Sequence, residues 1–458
     1  MDKPAMDTVR PAAVAGTFYP RDPRQLAEEL DEMLGGVQSF EPRFGFPKAL
    51  IVPHAGYVYS GPMAARAYDE LGPARGIVKR VVLMGPVHRV AVRGLALPDA
   101  DALATPLGIL KVDTEAVAAL AGLRYVGRSG PVHAMEHSLE VQLPFLQRVL
   151  GDVALVPFAV GDATPAQVAE VVDRLWGGRE TLFVISTDLS HYHPYEESCR
   201  IDGATVGRIE SFATDIRHEE ACGATPLNGF LRAAAARGLA IRRLGVCNSG
   251  DTAGGKGRVV GYAAFALDEG DAVSADEAGR TLIALARGAI ASRLDPATPQ
   301  PDAGAAWLSQ QVATFITLTL DGRLRGCIGS LEAHRPLAED VRANAQAAAF
   351  RDPRFPAVTA EEWPRCRVEV SLLSRARPIH SADEADLIAQ IRAGEDGLVL
   401  EHEGRRATFL PQVWESLPDK RVFLRELLNK AGLPAQTRLA RCKVSRYRVK
   451  KWKQADAQ

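Results

Sequence analysis

The sequence predicts two fused globular domains: an α/β domain with a mainly parallel sheet at 1–267, and an α+β domain with antiparallel pairing at 278–458. Three observations predict it. In the first part, short apolar runs alternate with amphipathic stretches, as when helices cover both faces of a sheet. At Asp268–Glu277 (DEGDAVSADE) the composition turns acidic, small and non-periodic, so 268–277 reads as a linker. Beyond it an Asp-Gly pair stands between two strand-like runs, the signature of a tight hairpin. A length of 458 residues also exceeds what one hydrophobic core usually serves.

The first helix is announced by Asp22 as N-cap and Pro23 in the first turn. Its stripe is Leu26, Leu30, Met33 and Leu34, and Gly35-Gly36 closes it. Four compact runs follow, Ala49–Val52, Val81–Met84, Val153–Phe158 and Leu182–Ile185, each apolar on both faces and spaced for crossover helices. Val259–Leu267 reads as a last strand. In the second domain Leu282, Leu285, Ala286 and Ala289 form a helix face. Phe315–Leu320 and Arg323–Ile328 flank Asp321-Gly322 as a type I′ hairpin, and Pro336 opens a helix with Leu337, Val341 and Ala345 on one side. Val368, Val370 and Leu372 alternate as a strand.

Composition excludes several classes. A net charge of -1 supplies no general attraction to nucleic acid or anionic membrane. No run reaches the ~18 apolar residues of a membrane span. Met1–Ala13 has no apolar core, so no signal peptide is expected. The six cysteines are scattered without a CxxC pair, which argues against a disulfide framework or zinc ribbon and for the reducing cytoplasm.

Ligands of open α/β sheets bind beyond the carboxyl ends of the strands. Here the first run exits into Pro53-His54-Ala55-Gly56-Tyr57, the second into Gly85-Pro86-Val87-His88, and the fourth into Ser186-Thr187-Asp188-Leu189-Ser190-His191. Neutral imidazoles are the commonest metal ligands, so three histidines on one rim point to a metal site. Two histidines and one carboxylate with open positions suit non-haem iron. The candidate carboxylate is Asp251 in the loop Cys247–Thr252, and Cys247 is the soft alternative. The same loop matches G-x-x-x-x-G-K at Gly250–Lys256, but Gly257 replaces the Ser or Thr of a P-loop and a strand follows, so nucleotide binding is rejected. Glu136 and His137 either line the cleft behind the metal ligands, or stand beside a Ser138 that merely caps a helix.

The segments RPAAVAGTFYP, PHAGYVYSGPMAARAY, GPVHR, EHSLEVQLPFLQ, STDLSHY and VVGYAAFAL, in this order, resemble the MEMO family over residues 9 to 267. Residues 278 to about 450 resemble an AMMECR-type domain through LRGCIGSLE, AAFRDPRFP, VEVSLLS, DGLVLE and FLPQVW. The pair is similar to proteins B and A of the AmmeMemoRadiSam system, which implies a radical-SAM protein as partner. The MEMO resemblance implies a fold like class III extradiol dioxygenases and an iron or copper site. It puts His54 and His88 on the metal, with His191 as acid/base and Asp188 beside it. The family's third ligand, a cysteine in animal members, falls in register on Thr252. Asp251 next to it would restore the two-histidine, one-carboxylate set, and it is expected ahead of Cys247. The expected function is a metal-dependent, dioxygenase-like oxidoreductase acting on a small molecule; the alternative is a non-catalytic metal- or peptide-binding scaffold. In the second domain Cys327 is expected as a packed strand cysteine rather than a reactive thiol. In the basic arm Arg441–Lys453 the alternation from Arg446 to Lys450 is expected as an edge strand guarded by Lys and Arg rather than a nucleic-acid contact.

Overall fold

The computed structural model describes residues 8–37, 44–270, 273–374, 376–434 and 436–454. Two compact units emerge, one formed by 1–37 and 46–272, the other by 38–45 and 273–458. Residues 1–7, within the segment read for a signal peptide, and 271–272, within the expected linker, lie outside the described residues. The linker stretch 268–277 also holds the last residue of a strand and the first turn of a helix capped by Ser274.

In the first unit nine strands form one sheet: β1 (Ala49–Val52), β2 (Arg80–Pro86), β3 (Leu95–Leu97), β4 (Val126–Arg128), β5 (Ala154–Val160), β6 (Thr181–Ser186), β7 (His191–His193), β8 (Ala240–Asn248) and β9 (Val259–Asp268). Their order is β7-β9-β1-β6-β2-β5-β3-β4, with β8 on β9. The four runs anticipated from sequence are the parallel centre, β1-β6-β2-β5. Reversals come at the flanks, although the edge strand β4 runs parallel to β3. β9 runs antiparallel to β1, β7 and β8, and β3 runs antiparallel to β5. The sheet is therefore mixed rather than mainly parallel; the short connection from β8 to β9 accounts for one of these reversals, since it is too short for a crossover.

Alternate residues of the central strands feed two cores. Leu50, Val52, Val81 and Leu83 meet the helices α1 (Pro23–Gly35), α2 (Tyr57–Asp69) and α3 (Leu143–Leu150). Ala49, Ile51, Val82 and Met84 meet α4 (Pro165–Leu175), α5 (Tyr195–Glu210) and α6 (Ala224–Ala236). Burial on both sides explains why these strands read as unbroken apolar runs.

The second unit opens with α7 (Ala275–Leu294) and continues through β10 (Thr314–Leu320), β11 (Arg323–Gly329), α8 (Leu337–Phe350), β12 (Cys366–Leu373), β13 (Arg377–Pro378), β14 (Gly397–His402), β15 (Arg405–Phe409), α9 (Lys420–Lys430), β16 (Lys443–Tyr447) and β17 (Val449–Lys453). It holds two four-stranded antiparallel sheets, β11-β10-β12-β17 and β13-β16-β14-β15. Asp321 and Gly322 have φ of 50° and 77°, the two positive values a type I′ turn requires. The basic arm becomes two strands. The expected edge strand 446–450 is split: Arg446 and Tyr447 end β16, inside the second sheet, and Val449 and Lys450 begin β17, an edge strand. Cys327 sits half-buried on β11, where it accepts a hydrogen bond from Thr317 Oγ1 at 3.4 Å. Among the described residues no helix is long and apolar enough to cross a membrane.

Candidate metal centre

β6 lies between β1 and β2, so the carboxyl ends of three neighbouring strands deliver His54, Asp188 and His88 to one rim. His54 is buried. Ser186 Oγ gives its proton to the Ser138 carbonyl at 2.7 Å, so toward His54 Nδ1, at 2.9 Å, it acts as acceptor. The proton of His54 therefore sits on Nδ1 and Nε2 is bare. Burial, reinforced by the nearby His88, His137 and His191, holds His54 well below the usual imidazole range. It is a neutral ligand in waiting.

His88 is oriented by Glu136. The carboxylate accepts the His88 backbone N–H at 2.7 Å, the His88 Nδ1–H at 2.9 Å and the Ser138 N–H at 3.0 Å. Burial alone would raise Glu136, but these bonds bring its carboxyl down to about 2. A carboxylate gripping Nδ1 leaves the other ring nitrogen to a metal, the usual arrangement behind ligating histidines. Ser138 instead bonds the Pro86 carbonyl at 2.8 Å and caps no helix.

The third donor comes from a place the sequence reading passed over. Cys222 lies in the loop between α5 and α6, and its Sγ stands 3.3 Å from His54 Nε2. The Asp188 N–H donates to that sulfur at 3.3 Å. Gly223 lets the loop approach so closely, since a Cβ there would meet the Ser186 carbonyl at 2.7 Å. Burial, with Asp188 alongside, pushes the thiol up to about 12; a metal would take it as thiolate. The ligand atoms of His54, His88 and Cys222 all lie within 4.8 Å of one another. A second set, His88, Glu136 and His137, meets the same criterion, and the His88 and His137 rings stack at 4.6 Å.

Asp251 does not join them. Its oxygens accept from the Tyr195 hydroxyl at 2.6 Å and the Asn248 N–H at 2.9 Å, in the exposed turn past the end of β8. Asp251, expected as third ligand, is thus engaged in the turn past β8 and is not among the donors that cluster around His54 and His88. Cys247 sits on β8 opposite Tyr262, packed against the core, and burial pushes its thiol up to about 11. The only sequence signal for Cys222 is a Cys-Gly pair at a helix entrance, with no strand run before it.

His191 and Asp188 complete the surroundings. His191 Nδ1 lies 2.8 Å from the Leu189 carbonyl, a pure acceptor, so Nδ1 carries the proton and Nε2 is free to take one. Asp188 accepts the His54 N–H at 2.7 Å, and burial raises its carboxyl to about 7. Behind the site, buried Arg10 and Glu140 pair at 2.5 Å and tie the N-terminal segment to the stretch carrying Glu136.

Two imidazoles and a thiol converging at strand ends define a candidate metal-binding α/β protein. The profile of Memo-like proteins matches residues 10–266 and that of AMMECR1 matches residues 283–452, and the chain belongs to the Memo-like family with an AMMECR1 domain fused after it. It is 35% identical over 271 residues to a MEMO1 family protein of Aquifex aeolicus, covering 56% of this chain and 97% of that one. Against a MEMO1 family protein of Aeropyrum pernix the identity is 38% over 282 residues, covering 56% and 98%. A solved structure of an uncharacterised protein from Pyrococcus horikoshii is similar at 32% identity with a TM-score of 0.35, over 38% of this chain and 90% of that one.

Proposed function

We propose that the first unit is a metal-dependent redox centre, similar in fold to class III extradiol dioxygenases, in which His54, His88 and Cys222 hold iron or copper. The observation that carries this reading is the convergence of those three donors within 4.8 Å. The donor set fits such an ion: two neutral nitrogens and a thiolate suit iron or copper, with thiolate favouring the softer Cu(I). When bound, the ion supplies one-electron chemistry and Lewis acidity. The chain's own residues do the rest. Glu136 holds His88 in its ligating tautomer. His191, proton on Nδ1, accepts a substrate proton at Nε2. Asp188, raised toward neutrality, holds or yields a proton beside His54. The substrate is a small molecule, and the protein works with a radical-SAM partner that the AMMECR1 domain helps to engage.

Metal analysis after anaerobic purification tests the site. Near-stoichiometric iron or copper is expected in the wild type, most of it lost in His54→Ala and Cys222→Ser and retained in Asp251→Asn. Wild-type content in the first two variants refutes the assignment. A second reading, a metal-binding scaffold without turnover, is favoured by one observation: the three donors that converge, His54, His88 and Cys222, include no carboxylate, Asp188 standing 4.0 Å from His54 Nε2. His191→Gln separates the two. As an enzyme the variant keeps its metal and loses about 10²- to 10⁴-fold in rate, whereas a scaffold loses nothing.

A further inference from the structure

Two of the stretches that mark the AMMECR1 domain meet across a cleft between its two sheets. From LRGCIGSLE come Gly329 and Leu331; from FLPQVW come Phe409, Leu410 and Val413. Phe315, Arg406, Ala407, Thr408 and Lys430 complete the lining of a cavity of about 390 Å³, within the range of small-molecule sites. Gly329 makes the floor: a Cβ there would run into the Phe315 ring, so only glycine lets that ring lie across β11. Leu331 is 36% exposed, and Phe315, Phe409 and Val413 are only partly covered, which leaves an apolar wall open to a ligand.

The two cations at the mouth differ. Arg406 is compensated by Glu332 and by Glu401, the latter at 3.0 Å. Lys430 donates one hydrogen bond, to the Thr408 carbonyl at 3.0 Å, and stands 5.0 Å from the centre of the Phe409 ring. An ammonium has three N–H donors, so two remain for another acceptor. Lys430 is exposed at the mouth, and among the described contacts it has a carbonyl and a ring but no carboxylate, so this end of the cleft presents a positive charge to a ligand.

We propose that the cleft is a binding site for a small apolar carboxylate, its body against Phe315, Leu331, Phe409 and Val413 and its carboxylate on Lys430. An anion at the mouth would supply the partner the ammonium lacks, and the apolar wall would leave water.

Calorimetric titration of the full chain with 3-phenylpropanoate and with 3-phenylpropanamide tests it, since the amide keeps the body and removes the charge. The acid is expected to bind about tenfold more tightly than the amide, the scale of a charge-assisted hydrogen bond. Lys430→Met, which keeps the apolar stem, should bring the acid down to the amide's affinity. Leu331→Trp, at the open edge where folding tolerates change, should weaken both. Equal affinity of acid and amide for the wild type overturns the proposal. So do a preference that survives Lys430→Met, unchanged binding in Leu331→Trp, and no binding of either compound.

Discussion

Glu140 is fully buried and accepts hydrogen bonds from Arg10 Nη1 at 2.5 Å, the Tyr19 hydroxyl at 2.6 Å, the Ala13 N–H at 2.8 Å and the Val14 N–H at 2.9 Å. Glu140→Ala would leave the Arg10 guanidinium with carbonyl partners only, those of Pro11, His133 and Glu136, and without a counter-charge in a desolvated site, at a cost of about 3–5 kcal/mol. Three further donors would lose their acceptor, each worth roughly 1–3 kcal/mol where water cannot enter. Peeling of residues 10–19 limits the sum, so the expected loss is about 5 kcal/mol. Arg10→Met is milder, about 3 kcal/mol, because Glu140 keeps its other three donors. The order follows from the geometry, and so does a sign: with Glu140 gone, Arg10 is a liability, and Arg10→Met/Glu140→Ala should be more stable than Glu140→Ala alone. Hydrogen exchange of amides in β1 and β2 of the full chain reports opening of the first unit apart from the second. A double variant less stable than Glu140→Ala, or an Arg10→Met loss as large as that of Glu140→Ala, would refute the reasoning.

Glu136→Gln keeps the size of the side chain but turns one acceptor toward His88 into a donor, and metal affinity should fall about 10- to 100-fold in chelator competition; unchanged affinity would mean that Glu136 does not orient a ligand. Asp202 accepts from the Ser190 N–H at 3.0 Å and the Ser198 hydroxyl at 2.8 Å, yet burial raises its carboxyl above the usual range. A carboxyl raised in the folded state contributes stability that is complete below its unfolded pKa and is lost as pH rises through the folded one. The stability of Asp202→Asn relative to wild type should therefore grow from about pH 4 toward neutrality in thermal unfolding, and a pH-independent difference would count against it.

Much of the rim was legible because strands buried on both faces announce themselves as short apolar runs, and the residues that follow such runs lie at the binding edge of a sheet. His54, His88, Asp188 and His191 were found this way. The flanking strands were harder. Ala240–Asn248 shows little of the continuous apolar character of the centre, and Leu95–Leu97 and Val126–Arg128 are too short to carry a period. The Asp321-Gly322 hairpin was readable because the turn demands positive φ at both positions, a local requirement that names its residues.

The third donor was not readable, for a physical reason. A residue at a strand end is placed by its own strand, so spacing along the chain predicts its position. Cys222 is placed by the packing of a loop against Ser186, Thr187 and Asp188, more than thirty residues earlier, and by a glycine that permits the contact. Asp251 had the right chemistry beside the right strand, and the turn past β8 engages its oxygens with Tyr195 and Asn248. By itself the sequence determined the two-unit organisation, the central strands and three histidines with an aspartate at their ends, because those follow from local pattern. Tertiary structure alone decided the mixed sheet, the cysteine that faces His54 and the Glu136 and Glu140 anchors, because each depends on which distant segments fold against one another.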